Sequence, residues 1–431
     1  MTKNVRANIS VKMDLPNRTP FFYGWVILVV GTIGIIMTGP GQTFSVSIFI
    51  EYIIEDLGIS RTMVSTLYSI GTLIGGFSLP FWGRQVDRRG ARKLAGLISL
   101  LFGLSCIYMG FVQNALMLGL GFILIRMLGQ GSLGLVSQTV INQWWVRKRG
   151  FVMGVSGLVM SLIGMGAFPT LVFALISKYD WRIAFGILGT AVLLVMTPVS
   201  LLYFRNKPEE YELHPDGLTI PESDELLLAD DLNAIEENWT LNEAMKTRDF
   251  WLIVIGTTSF SLLGTGLFFH LVSIFETQGL SASLAASVFM PVSIAAALST
   301  LLGGYLADHI PLKYLLATSL VIQAISVLSI RILHDPISAI FFGLILGTSM
   351  GTSRAIGTVV WPAFYGRANL GSIFGFISAI SIVGAALGPL PFSFAFDRFG
   401  SYQPVIMISA VISLLLGLVS LSIKKPVKNI N

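Results

Sequence analysis

Apolar residues run through this chain in long blocks separated by short polar segments, and each block reaches the 18 or more positions that a helix needs to cross a bilayer. Six blocks occupy positions 22 to 48, 62 to 82, 94 to 113, 115 to 142, 151 to 177 and 182 to 204. Six more follow at 250 to 275, 282 to 306, 314 to 333, 336 to 363, 370 to 395 and 402 to 423. The pattern predicts an all-α membrane protein with twelve transmembrane helices. It divides into an N-terminal six-helix bundle (1–204), a hydrophilic linker (205–248) and a C-terminal six-helix bundle (249–431). The first block exceeds a signal-peptide core and follows a 21-residue polar leader, so it reads as a retained helix.

Composition agrees. Hydrophobic residues make up 54% of the 431 positions and charged ones 12%, about half the charge of a soluble domain, which excludes most soluble enzymes. The net charge of +5 does not point to nucleic acid, because the basic residues sit in short loops rather than on one face. With the N-terminus inside, 21 of the 28 Lys and Arg fall in inner segments and 5 in outer ones, which predicts both termini in the cytoplasm. The linker is then cytoplasmic and holds 12 of the 23 acidic residues; near its end Thr240 and Glu243 have the spacing of a capping box. A single cysteine, Cys106, excludes an internal disulfide and a cysteine-based zinc site. No G-x-x-x-x-G-K-[ST] loop occurs, so ATP does not drive the protein. No cofactor or metal is expected.

Shifting the chain by 221 positions brings Gly83 onto Gly304, Asp87 onto Asp308, Gly150 onto Gly371, Gly154 onto Gly375 and Trp181 onto Tyr402. One shared offset argues for two duplicated six-helix units, the plan of carriers that rock one bundle against the other around a central site. The loop Gly83-Arg84-Gln85-Val86-Asp87-Arg88-Arg89-Gly90-Ala91-Arg92-Lys93 resembles the loop motif of the major facilitator superfamily, and Gly304 to Asp308 is its shorter echo. Arg126 with Gln130-Gly131 is similar to that superfamily's second motif. Tyr23-Gly24-Trp25, Trp144-Trp145-Val146-Arg147-Lys148-Arg149-Gly150 and Trp361-Pro362-Ala363-Phe364-Tyr365-Gly366-Arg367 resemble the monocarboxylate porter and oxalate:formate antiporter branch. That resemblance implies a small organic anion, moved with protons or by exchange. The chain departs from the branch in two places. Positions 284 to 302 lack the Asp and Arg of the vertebrate carriers, and 371 to 394 lack the lysine of the oxalate carriers.

All 23 acidic residues fall in loops or at block ends, leaving Arg126 and Arg354 as the charges within blocks. Each costs about 2.5 to 3.5 kcal/mol at a helix centre, so each marks a candidate site. A guanidinium there can clamp a carboxylate through parallel hydrogen bonds, with Gln130 and Ser137 on the face of Arg126. A histidine in water titrates near neutral pH, which makes His270, near Glu276, the candidate for proton coupling. Asp87 and Arg88, with Gly83, Gly90, Arg92 and Asp308, are candidates for an inner gate, where a loop carboxylate bonds across the bundles. The sequence therefore predicts a monomeric, multi-pass carrier in the cytoplasmic membrane. It would move a small organic anion, of the monocarboxylate class, by symport or antiport with alternating access. A proton-antiport exporter of amphipathic compounds and a non-transporting sensor are the alternatives.

Overall fold

The computed structural model describes residues 15–145, 148–217, 239–366 and 370–426. Among them are twelve helices long and apolar enough to span a membrane, and no strand. The first six are α1 (Gly24–Leu57), α2 (Arg61–Val86), α3 (Ala91–Met109), α4 (Ala115–Trp144), α5 (Phe151–Lys178) and α6 (Trp181–Tyr203). The last six are α7 (Arg248–Phe269), α8 (Ala282–Ala307), α9 (Leu312–Ile332), α10 (Pro336–Tyr365), α11 (Ile373–Phe399) and α12 (Gln403–Ser420).

Side chains that accept from exposed N–H groups set where several spans begin. Ser60 accepts from Met63 before α2 (3.1 Å), Asn114 from Met117 before α4 (3.0 Å) and Asp180 from Ile183 before α6 (2.9 Å). The capping box at Thr240 and Glu243 is present and starts a one-turn helix, Leu241–Ala244. The helix of α1 runs nine residues past the expected position 48. Apolarity ends with the membrane, whereas the backbone hydrogen bonds continue until Gly58, whose left-handed φ of 60° stops them.

Among the described residues α8 is interrupted at Val288, and two further breaks, in α1 and α11, each set a backbone carbonyl against a buried polar side chain. The Gly39-Pro40-Gly41 turn splits α1 between Ile36 and Thr43. The Arg126 guanidinium of α4 donates to the Gly41 carbonyl (2.8 Å) and to Thr72 Oγ1 of α2 (2.9 Å), and lies over the Tyr68 ring at 4.7 Å. In α11 the helix is interrupted at Gly388, and the Pro389 carbonyl lies 3.0 Å from His270 Nε2. Irregular backbone at membrane depth is tolerated where protein groups satisfy it. Three π-helical stretches, Arg126–Leu133, Met160–Ala167 and Val192–Met196, fall in α4, α5 and α6.

The spans pack through small residues. A side chain on Gly347 or Gly351 of α10 would collide with the carbonyls of Val292 and Ala296 on α8, the close approach that glycines at four-residue spacing permit. Between the first and last six spans, Gly76 of α2 faces Ile382 of α11, and Gly166 of α5 faces Ser293 of α8. One hydrophobic core runs through the first six spans and continues into the last six on the side away from the termini, around Phe269, Phe275, Phe289 and Phe392. A second core, around Trp239, Phe250, Trp361 and Tyr365, belongs to the last six spans alone and lies on the termini side. The two sets of six are thus joined at one end and part toward the other.

Candidate substrate cavity

A two-lobed cavity lies where the two sets of helices part. The lobes measure about 210 Å³ and about 380 Å³ and share Thr43, Phe268, Met350 and Arg354. The larger is walled by α1, α4 and α5 through Gln42, Gln138, Met153, Ser156, Met160 and Met165. The smaller is walled by α7, α9 and α10 through Ser261, Thr265, Gln323, Ser326, Ser349 and Ser353. Among the described residues, neither lobe is lined by an acidic side chain or a histidine.

Arg354 stands at the junction. It shares one face of α10 with Leu346 and Met350, at four-residue spacing, and that face forms the cavity wall. Its side chain is exposed to the cavity although it sits deep within a span. No hydrogen bond or ion pair to its guanidinium occurs among the described residues. The arrangement offers a fixed positive charge, with its donors free, between a methionine-rich lobe and a hydroxyl-lined one.

The other candidates stand elsewhere. Arg126 is buried, held by Gly41, Thr72 and Tyr68, and lines neither lobe. Gln130 is exposed where Arg126 is buried, and Ser137, although buried, lies against Gly34 of α1 and not among the Arg126 partners. The π-helical stretch that begins at Arg126 has a wider turn than the α-helix, so the expected common face is lost. His270 closes α7, is fully buried, and lies 3.5 Å from the Tyr402 hydroxyl, which itself donates to Ser273 (2.9 Å). It too is absent from the lining.

At the termini side, Asp87 and Asp308 occupy the final turns of their helices, and their side chains lie outside the described residues. Gly90 adopts φ of 81° and ends the helix of α2; its neighbour across the loop is Asn206, whose Oδ1 accepts from the Arg92 N–H (3.2 Å). Arg92 Nε donates to the Leu201 carbonyl (2.7 Å), tying the loop to the end of α6. Gly83 faces Leu135 of α4, and Arg88 is exposed beside Asn206 and Lys207. The contacts that the structure gives to these residues stay within the first six spans.

Far from the termini lie contacts that the sequence did not flag. Arg61 pairs with Glu51, the second contact of the fork measuring 2.7 Å, and covers the Phe396 ring of α11 at 4.8 Å. Asp397 of α11 accepts from the Thr62 N–H (3.0 Å) and from its hydroxyl, bonding the start of α2 to the last six spans. Charges at span ends carry topology in a sequence, which hides their pairing.

Twelve spans in two facing sets with a cavity between them is a carrier's architecture, and comparison with known proteins fits it. The sequence profile of the Major Facilitator Superfamily matches residues 30–356 and again 292–430. The chain belongs to the Major Facilitator Superfamily. It is an integral multi-pass membrane transporter and not an enzyme. Relatives of this facilitator differ in cargo. A protein described as a probable sulfoacetate transporter, from Cupriavidus necator, is 26% identical over 39% of this chain. A probable L-galactonate transporter of Escherichia coli is 30% identical over 31%. These two matches cover only 38% and 30% of those proteins' own lengths. A glucose transporter of Staphylococcus epidermidis is 24% identical over 91% of this chain and 92% of its own.

Proposed function

We propose that this facilitator carries a small organic anion by alternating access, and that Arg354 receives the acidic group. The supporting observation is the unpartnered Arg354 guanidinium at the junction of the two lobes. A guanidinium that faces the cavity without a counter-ion keeps its donors available, and an anionic cargo supplies the charge-assisted hydrogen bonds it lacks. Two of the relatives carry acids by name, sulfoacetate and L-galactonate, and a carboxylate or sulfonate offers the oxygen pair that fits the guanidinium fork. Arg126 serves the scaffold. Because its donors already meet Gly41 and Thr72, it has less to offer a cargo.

For coupling, the lining favours anion exchange over proton symport. Arginine stays charged at every physiological pH, and neither lobe presents a carboxylate or imidazole to carry a proton. With the termini in the cytoplasm, the conformation described opens inward.

The test is uptake of labelled carboxylates into proteoliposomes, with internal anion or an inward proton gradient. Saturable uptake that requires internal anion is expected, and Arg354→Gln should lower it at least tenfold while insertion stays intact. Retention of full uptake in Arg354→Gln would remove the anion-site reading.

A further inference from the structure

We infer that the transported anion carries several hydroxyl groups, as a sugar acid does, and that five unbonded hydroxyls on α7, α9 and α10 read them. This rests on the anion reading above, since it assigns the body of the molecule whose acidic end Arg354 holds.

A serine or threonine inside an apolar helix commonly satisfies its hydroxyl by bonding back to a carbonyl three or four residues earlier. Many spans of this chain do so: Thr257 bonds to Ile253 and Ser319 to Leu315 (2.8 Å each), Thr300 to Ala296 and Ser420 to Gly417 (2.7 Å each). Scattered exceptions away from the cavity are Ser45, Ser65, Ser69, Ser137 and Thr258. At the smaller lobe the exceptions gather: of its hydroxyls Thr43 is bonded, to Tyr68, and five are not. Ser261 and Thr265 of α7, Ser326 of α9, and Ser349 and Ser353 of α10 make no side-chain hydrogen bond among the described residues. Ser326 and Ser349 are only 1% and 3% exposed, so their hydroxyls are withdrawn from bulk solvent. Buried polar groups are normally paired, so the hydroxyls of Ser326 and Ser349 are groups that a ligand can satisfy, and Ser261, Thr265 and Ser353 stand partly exposed on the same wall.

The helix geometry gathers them. Ser261 and Thr265 lie four residues apart beside Gly264, where the missing side chain leaves open space. Ser349 and Ser353 share the wall of α10 with Arg354. Gln323, one turn before Ser326, is a fixed neighbour rather than a reader. Its Oε1 accepts from Ser259 (3.2 Å) and Ser413 (3.4 Å), and its Nε2 donates to the Ser259 carbonyl (3.1 Å). The larger lobe holds fewer such groups. Ser156 is bonded to Thr32 (3.0 Å), Ser161 is the one serine there without a side-chain bond among the described residues, and methionines fill much of the remaining wall.

A plain alkyl carboxylate would satisfy Arg354 and leave the hydroxyl cluster unmatched. An uncharged sugar would satisfy the cluster and leave the arginine bare. A short acid with hydroxyls along its chain meets both, and a site built to bond a hydroxyl discriminates strongly against the analogue lacking it.

The experiment measures the concentration of gluconate, hexanoate or glucose that half-saturates the thermal stabilisation of the purified full chain. Glycerate against propionate gives a shorter matched pair. We expect the hydroxylated member of at least one pair to act at a tenfold lower concentration, and glucose to be inert. The double variant Ser326→Ala, Ser349→Ala should bring the pair within threefold, with the deoxygenated acid unmoved. These substitutions remove unbonded hydroxyls, so the unliganded unfolding midpoint should hold or rise. Equal potency within both pairs, or a preference that survives the double variant, overturns the inference and leaves the anion reading standing. A wild-type response to glucose as strong as to gluconate, or an undiminished gluconate response in Arg354→Gln, overturns the anion reading instead. Silence toward every probe overturns both.

Discussion

Two arginines within apolar blocks looked alike in the sequence, and the fold gives them opposite circumstances. Arg126 meets a carbonyl released by the break in α1, whereas Arg354 meets the cavity. The difference depends on where the Gly39-Pro40-Gly41 turn comes to rest against α4, a fact of packing that no local motif encodes. His270 repeats the Arg126 solution in the last six spans by meeting the Pro389 carbonyl. A stability measurement separates the two arginines. Arg126→Met should lower the unfolding midpoint, since stranding Gly41 and Thr72 costs about 1–3 kcal/mol for each buried group left without a partner. Arg354→Gln should leave that midpoint unchanged or raise it, because the charge it removes has no partner. Equal destabilisation by both would mean that both are scaffold.

At the scale of elements, α10 is set against α8 by Gly347 and Gly351, and the same helix presents Ser349, Ser353 and Arg354 to the cavity. Packing and site therefore depend on one helix position. Gly351→Val should push α10 from the Ala296 carbonyl, with overpacking costing about 1–3 kcal/mol, and uptake should fall with the thermal midpoint. Gly357→Ala, on the same helix with open space at its Cβ, is the control expected to change neither. The twelve spans were legible because a bilayer demands long apolar runs whatever their packing. The π-helical stretches were not legible, since an apolar run reads the same in either hydrogen-bond register. Nor were the five cavity hydroxyls, although Ser261 with Thr265 and Ser349 with Ser353 stand at helical spacing. A hydroxyl that bonds back to its own helix and one that faces a cavity are written with the same letter.

For the whole molecule, the shared hydrophobic core and the Asp397 to Thr62 bond hold the two sets of helices together on the side away from the termini. The carboxylate meets the first turn of α2, where the helix dipole favours negative charge. Asp397→Asn should weaken that closure. Spin labels at Lys178→Cys and Arg331→Cys should report longer distances than in the parent, and an unchanged distribution would deny Asp397 a latching role. The ends of the connecting segment are each seated on their own side. Asp216 accepts from the Lys148 N–H (3.0 Å), and the Trp239 N–H donates to the Tyr365 carbonyl (3.0 Å). Between Gly217 and Trp239 run 22 peptide steps, a contour of roughly 75 Å at full extension. Each anchor is bonded to its own set of helices and travels with it, so rocking the bundles moves the two ends of this connection apart or together without breaking either seat.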